Sequence, residues 1–166
     1  FADNAEALAR LGIPCPHVIR VHRFPIIRRD VVHYRPLPGL TLRQIIQGAQ
    51  PEIDTRALLG QLGRFVATLH DAGVFFRSIH LGNIVLGDDG RLGLIDIADM
   101  QARRRPLPRF KRKRNFAHLL RYREDRAWLM ADGGQAFAEG YAAQAGKGYA
   151  VGDLQAWLNA TAGAGR

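Results

Sequence analysis

Residues 55–72, TRALLGQLGRFVATLHDA, constrain the fold more than any other stretch: Leu58, Leu59, Leu62, Val66 and Leu69 recur at helical spacing and need a covering layer. Asp54 stands at the N-cap position, and Gly73 stands where a left-handed residue ends a helix. The segments after it can supply that layer. GVFF (73–76) reads as a buried strand fragment, RSIHLGN (77–83) as a loop, and IVLGDDGRLGLID (84–96) as a hairpin turning between Gly87 and Gly90. IADM is the exit from that hairpin.

The flanks are predicted in the same way. Ala5, Leu8 and Leu11 make residues 3–11 a short amphipathic helix stopped by Gly12. HVIRVHRF (17–24) and RDVVHYRPL (29–37) read as strands separated by Pro25 and an Arg pair, PLPGL as a turn, and Thr41 as the cap of a brief helix. From Arg103 the chain is a basic loop, RRRPLPRFKRKR. Residues from about 115 to 145 are expected to be helical, and NATAGAGR to be a frayed tail. No internal repeat is present. Strands lying against mainly helical structure define an α+β layout.

Composition sets bounds on function. With 166 residues, 47% of them apolar, the chain holds one core-bearing unit. Its single cysteine, Cys15, excludes an intramolecular disulfide framework and a multi-cysteine zinc site. No apolar run reaches the roughly 18 residues of a membrane span, and no signal peptide is visible. A formal charge of +9 favours polyanions: phosphate ligands, nucleic acid or an acidic lipid surface.

The order of elements and the run LHDAGVFFRSIHLGNIVL…LGLIDIA together resemble the catalytic core of the protein-kinase-like superfamily. The nearest branch is that of bacterial lipopolysaccharide core sugar kinases, with a loop similar to that of aminoglycoside phosphotransferases. In those families a long helix ends in H-x-x-G, a catalytic loop runs H-[RG]-D-x-x-x-x-N, and a hairpin ends in D-[FI]-[GA]. Arg77, Asn83 and Asp96 stand at family positions, and His80, Gly82 and Asn83 match the end of the phosphotransferase loop. The resemblance covers roughly residues 3–125. It implies a protein-kinase-like α+β fold, with a partial β-rich N-lobe over 1–38 and a mainly helical C-lobe over 39–166. Two positions depart from the pattern: Ser78 replaces the catalytic acid and Phe76 the leading His.

The families also place a Gly-rich strand pair and a phosphate-binding Lys ahead of the first helix. Here Lys111, Lys113 and Lys147 are the only lysines, all downstream, and Glu6 is the candidate for the Glu that pairs with it. The N-lobe is therefore expected to be incomplete: the protein continues upstream of Phe1, or half of the nucleotide cradle is absent.

By the same resemblance, Asn83 and Asp96 hold magnesium, and the hinge YRPL offers the Arg35 carbonyl and the Leu37 amide to the adenine of ATP, since Pro36 has no N–H. Ser78, His80 and Arg77 form the catalytic set; a serine hydroxyl is no base near neutral pH, so His80 is the substitute acceptor of a proton. Arg105, Arg109, Lys111 and Arg112, among eight cations crowding one loop, face an anionic sugar or glycolipid acceptor and the inner membrane surface. Each residue also has a plain structural alternative: a turn at Asn83, a strand end at Asp96, a loop cap at Ser78, backbone packing at His80, a solvated Arg77, a Pro-bounded linker, a solvated basic run.

Three readings follow. The first is a cytoplasmic kinase, peripheral to the inner membrane, that uses ATP and magnesium to phosphorylate a sugar hydroxyl of a lipopolysaccharide-type glycolipid. The second is a pseudokinase that binds nucleotide, a membrane or a partner. Nucleic-acid binding is the least supported, because neither a recognition helix nor an aromatic platform is evident.

Overall fold

The computed structural model describes residues 1–49, 52–145 and 148–163, so Lys147 lies outside the described residues. Helix α1 (Ala2–Arg10) ends at Gly12, whose φ is +68°. It leads into β1 (His17–Phe24), which pairs antiparallel with β2 (Arg29–Arg35) through a turn closed by Arg28 in the left-handed region. A two-stranded ribbon is marginal alone. Here Phe1 stacks on Tyr34 at 4.9 Å, which ties the ribbon to α1.

After the hinge, β3 (Leu40–Thr41) pairs with β5 (Ile84–Leu86), and β5 with β6 (Leu92–Leu94), in a three-stranded antiparallel sheet. Thr41 caps the short α2 (Leu42–Gln44) in a full capping box with Gln44, as its position predicts. Helix α3 (Thr55–Asp71) starts on Asp54, whose carboxylate accepts from the Ala57 amide at 3.0 Å. All five of its predicted apolar residues are buried. At about 1.5–3 kcal/mol for each large side chain, that stripe is the main local source of stability.

Helix α6 (Gln135–Ala145) supplies the missing layer, and glycines set how closely it approaches. A Cβ on Gly63 would strike the Phe137 carbonyl, and one on Gly140 would strike the Gly60 carbonyl, so the two helices meet backbone to backbone. Phe116, Phe137 and Tyr141 fill the space beside them.

The structure refines or corrects several expectations. The exit after the hairpin leads into a further strand: β7 (Met100–Ala102) pairs with β4 (Val74–Phe76). The basic segment is not one loop, because α4 (Arg109–Leu119) begins inside it. The helical region from 115 to 145 divides into α4, α5 (Arg123–Leu129) and α6. Left-handed Gly133 and Gly134 break the chain before α6, and Asp132 caps that helix by accepting from the Gln135 and Ala136 amides. The tail is helical as far as Gly163 in α7 (Val151–Gly163), because Leu154 and Leu158 are buried; residues 164–166 lie outside the described residues.

A chain of polar side chains crosses this core under β4. Arg112 donates to the Tyr141 hydroxyl at 2.9 Å, and Tyr141 donates to His70 Nδ1 at 2.8 Å. His70 Nε2–H then donates to Asn115 Oδ1 at 3.0 Å, and Asn115 Nδ2 donates to the Phe76 carbonyl at 2.7 Å. Every donor finds an acceptor only if His70 is neutral. Burial accordingly lowers its pKa from 6.5 to about 3. The unfolded chain takes up that proton near 6.5 and the folded chain does not. The stability contributed by neutral His70 is thus complete above 6.5 and is lost as pH falls toward 3, at up to about 1.4 kcal/mol per pH unit. Urea unfolding near pH 7.5 and near pH 5.5 should show an acid loss about 1 kcal/mol larger in the wild type than in His70→Gln. Equal losses would mean that His70 is protonated in the fold.

Candidate active site

The β5–β6 hairpin brings the two candidate metal ligands to one end. Ile84 pairs with Leu94, and the Ile95 amide donates to the Asn83 carbonyl at 3.0 Å, so Asn83 and Asp96 flank the same open end of the ladder. Asn83 is 7% exposed. Its Nδ2 donates to the Ser78 carbonyl at 3.0 Å, which fixes the amide and leaves Oδ1 with no hydrogen-bond partner among the described residues. Asp96 is exposed, with φ 52° and ψ 43°, a conformation uncommon outside Gly, Asn and Asp, and its side chain makes no cap hydrogen bond. Two hard oxygen donors, one oriented by the loop and one by a left-handed backbone, fit magnesium, which takes one or two protein oxygens and fills its shell with water and phosphate.

The loop that carries these groups is anchored from outside the motif. Asp125 of α5 is fully buried; it takes a bidentate bond from Arg43, at 3.0 and 2.7 Å, and accepts from the Leu81 amide at 2.9 Å. Arg43 also lies over the Tyr122 ring at 4.5 Å, and Tyr122 meets His80 edge-on at 5.1 Å. Asn4 of α1 latches onto the turn after Asp96, donating to the carbonyls of Ile97 at 2.7 Å and Met100 at 3.0 Å. Neither Asp125 nor Asn4 stood out in the sequence. An Asp in the first turn of a polar helix and an Asn in a short amphipathic one look like surface residues until the chain folds.

His80 is held by the backbone. Its Nδ1 accepts from the Gly82 amide at 3.1 Å, which places the proton of the neutral ring on Nε2. Burial, then the Arg43 charge, lower its pKa below the ordinary 6.5, while Asp125 and Asp96 oppose the shift. In this tautomer His80 offers a donor and not the proton acceptor expected of it.

Ser78 is half-buried, and its hydroxyl donates to Asp99 Oδ2 at 2.7 Å. Arg77 is exposed. The hinge residue Arg35 ends β2 opposite His17 and is exposed, and half-buried Leu37 closes over Gly93 with the Pro14 carbonyl. A cleft of about 760 Å³ lies elsewhere, between α1, the 12–18 segment, Val21 and the hairpin turn; none of the predicted site residues lines it. Glu6 lines that cleft and pairs with Arg10 at 3.3 Å.

The basic segment is sorted by the fold. Arg105 is exposed. Arg109 is exposed but donates to the Gly148 carbonyl at 2.8 Å and lies over Trp157 at 5.4 Å, and Lys111 lies over Phe75 at 5.4 Å. Arg112 must be removed from the acceptor-facing set. It is 3% exposed and is spent on Asp71 at 2.7 Å, the Leu107 carbonyl at 2.8 Å and Tyr141.

Such an arrangement, an antiparallel ribbon and a helical layer with an Asn and an Asp at one end of a hairpin, has the α+β protein-kinase-like fold. The fold is similar to that of WbdD, described as a bifunctional kinase-methyltransferase, with a TM-score of 0.52 at 19% identity over 98% of this chain and 35% of that one. A second WbdD structure, a co-crystal with the kinase inhibitor LY294002, aligns with a TM-score of 0.51 at 18% identity over 98% of this chain and 36% of the other. The chain thus spans about a third of the length of these structures. No curated protein sequence matches it. The model of the lipopolysaccharide kinase (Kdo/WaaP) family matches residues 26–141, and the chain belongs to that family.

Proposed function

We propose that the chain carries the phosphoryl-transfer core of a kinase that moves the ATP γ-phosphate to a sugar hydroxyl of a lipopolysaccharide-type glycolipid. One observation carries this reading: the Asn83 amide is pinned by the Ser78 carbonyl beside the left-handed Asp96 at one hairpin end. Family membership supports the class of acceptor.

In this reading Asn83 and Asp96 hold magnesium, which would neutralise charge on the phosphates. The Arg35 carbonyl and the Leu37 amide meet the adenine, and residues 1–38 act as the N-lobe side of the nucleotide site. His80 Nε2–H points a donor toward phosphate oxygen. Ser78 meets the acceptor hydroxyl. Exposed Arg77 and Arg105, with Arg109 and Lys111, draw the acidic head of the acceptor to the loop, and electrostatics of this kind would hold the protein against the cytoplasmic face of a membrane. Among the described residues no helix is long and apolar enough to cross one.

The second reading, a nucleotide-binding module without turnover, is favoured by a single fact: no carboxylate stands at position 78. Two measurements separate them. Magnesium with ATP should raise the melting temperature, and labelled γ-phosphate should pass to rough-type lipopolysaccharide. A shift without transfer supports the module, and absence of both overturns the nucleotide reading altogether.

A further inference from the structure

Pairing of β4 with β7 does more than extend the sheet. With Phe76 opposite Met100, the residues just beyond the ladder, Arg77 and Ser78 on one side and Asp99 on the other, are forced together. Ser78 Oγ donates to Asp99 Oδ2 at 2.7 Å, so the loop position that lacks an acid is in contact with one supplied from elsewhere. The remaining oxygen, Asp99 Oδ1, is buried with no hydrogen-bond partner among the described residues. So is His118 Nε2.

Arg121 donates to His118 Nδ1 at 2.7 Å, so the neutral ring carries its proton on Nε2. Burial, then Arg121, Arg114 and Arg77, lower the His118 pKa, and the Asp99 charge opposes them. Asp99 thus offers one carboxylate oxygen to the Ser78 hydroxyl and keeps the other without a hydrogen-bond partner among the described residues.

We propose that Asp99 is a positioning residue that supplies, through Ser78, the basicity missing from the loop. The inference rests on the kinase reading above. As the acceptor oxygen bonds to the γ-phosphorus and the bond to the bridging oxygen breaks, ADP leaves with that electron pair. The acceptor hydroxyl proton passes to Ser78 Oγ while the Ser78 proton passes to Asp99 Oδ2. Asp99 ends as the neutral acid, which returns its proton to solvent once the products leave. Asp99 never touches the substrate.

The test uses the intact protein, magnesium-ATP and rough-type lipopolysaccharide. Asp99→Asn keeps an oxygen for Ser78 to bond while removing the basicity; it should lower kcat by roughly 10²–10⁴ with little change in the KM for ATP. Ser78→Ala should do the same with Asp99 intact, which keeps the test alive should Asp99→Asn fail to fold. The double variant Ser78→Asp with Asp99→Asn, which puts the acid on the loop itself, should recover kcat to within about tenfold of wild type. A purely structural Asp99 would give no recovery, and a kcat for Asp99→Asn near that of wild type overturns the relay while leaving the kinase reading intact. Wild-type protein that binds magnesium-ATP but transfers nothing also overturns the relay. Failure to bind magnesium-ATP at all overturns the kinase reading itself.

Discussion

Asp96→Ala should abolish the stabilisation that magnesium and ATP give together. At a ligand concentration of 100 times Kd, binding stabilises a fold by about 2.7 kcal/mol. For a chain of this size that is a rise in melting temperature of roughly 5–10 °C. Asp96 is exposed, makes no cap bond and sits in the left-handed region. Its loss should therefore leave the unliganded fold almost unchanged, and relief of backbone strain offsets little because Ala tolerates a positive φ no better than Asp. Thermal melts with magnesium-ATP, with ATP and chelator, and without ligand resolve the effect. A full shift retained in Asp96→Ala would remove this residue from the metal site.

The largest stability effect belongs to Asp125→Ala. That carboxylate is fully buried, joins Arg43 through two hydrogen bonds, and holds the Leu81 amide beside the loop. Removing one member of a buried ion pair costs about 3–5 kcal/mol, because the partner charge is stranded. The Arg43 side chain keeps 27% of its surface exposed, so water softens the penalty and the lower end is expected. About 3 kcal/mol corresponds to a fall of roughly 6–12 °C in melting temperature. Glu139→Ala breaks a solvent-exposed pair, 2.9 Å from Arg56 with 61% of the Arg and 43% of the Glu side chain exposed, and should cost less than about 1 kcal/mol. Calorimetry that finds the two variants equally stable would mean that Asp125 is solvated and the clamp is open.

Asp125 also shows where the sequence stops being informative. The run 123–129, REDRAWL, has four charges of mixed sign in its first four residues and no feature that separates the buried Asp125 from its neighbour Glu124. Only the docking of α5 against α2 and the 81–83 turn makes one carboxylate structural. Arg112 was misplaced for the same reason. Inside FKRKR every cation looks equivalent, yet the α4 helix turns this one inward to Asp71 and Tyr141 and leaves Lys113 and Arg114 exposed. The strand Met100–Ala102 has too few residues to show a period, and it exists because the buried strand 74–76 needs a partner for its backbone.

Local signals served well where chemistry is local. The Asp54 and Thr41 caps, the glycine stops, the apolar stripe of 58–69 and the turn between the strands of the 84–94 hairpin act over one to four residues, so reading the chain was enough to place them. That order of elements also determined the α+β class, and the resemblance carried by the motifs around Asn83 and Asp96 implied its kinase-like form. What tertiary structure alone decided is which charges are buried and which loop atoms meet: Asp125 on Leu81, Asn4 on the turn after Asp96, Asp99 on Ser78. A side chain's burial and its long-range partner depend on elements distant in sequence arriving at one place, and no periodicity within a single element encodes that arrival.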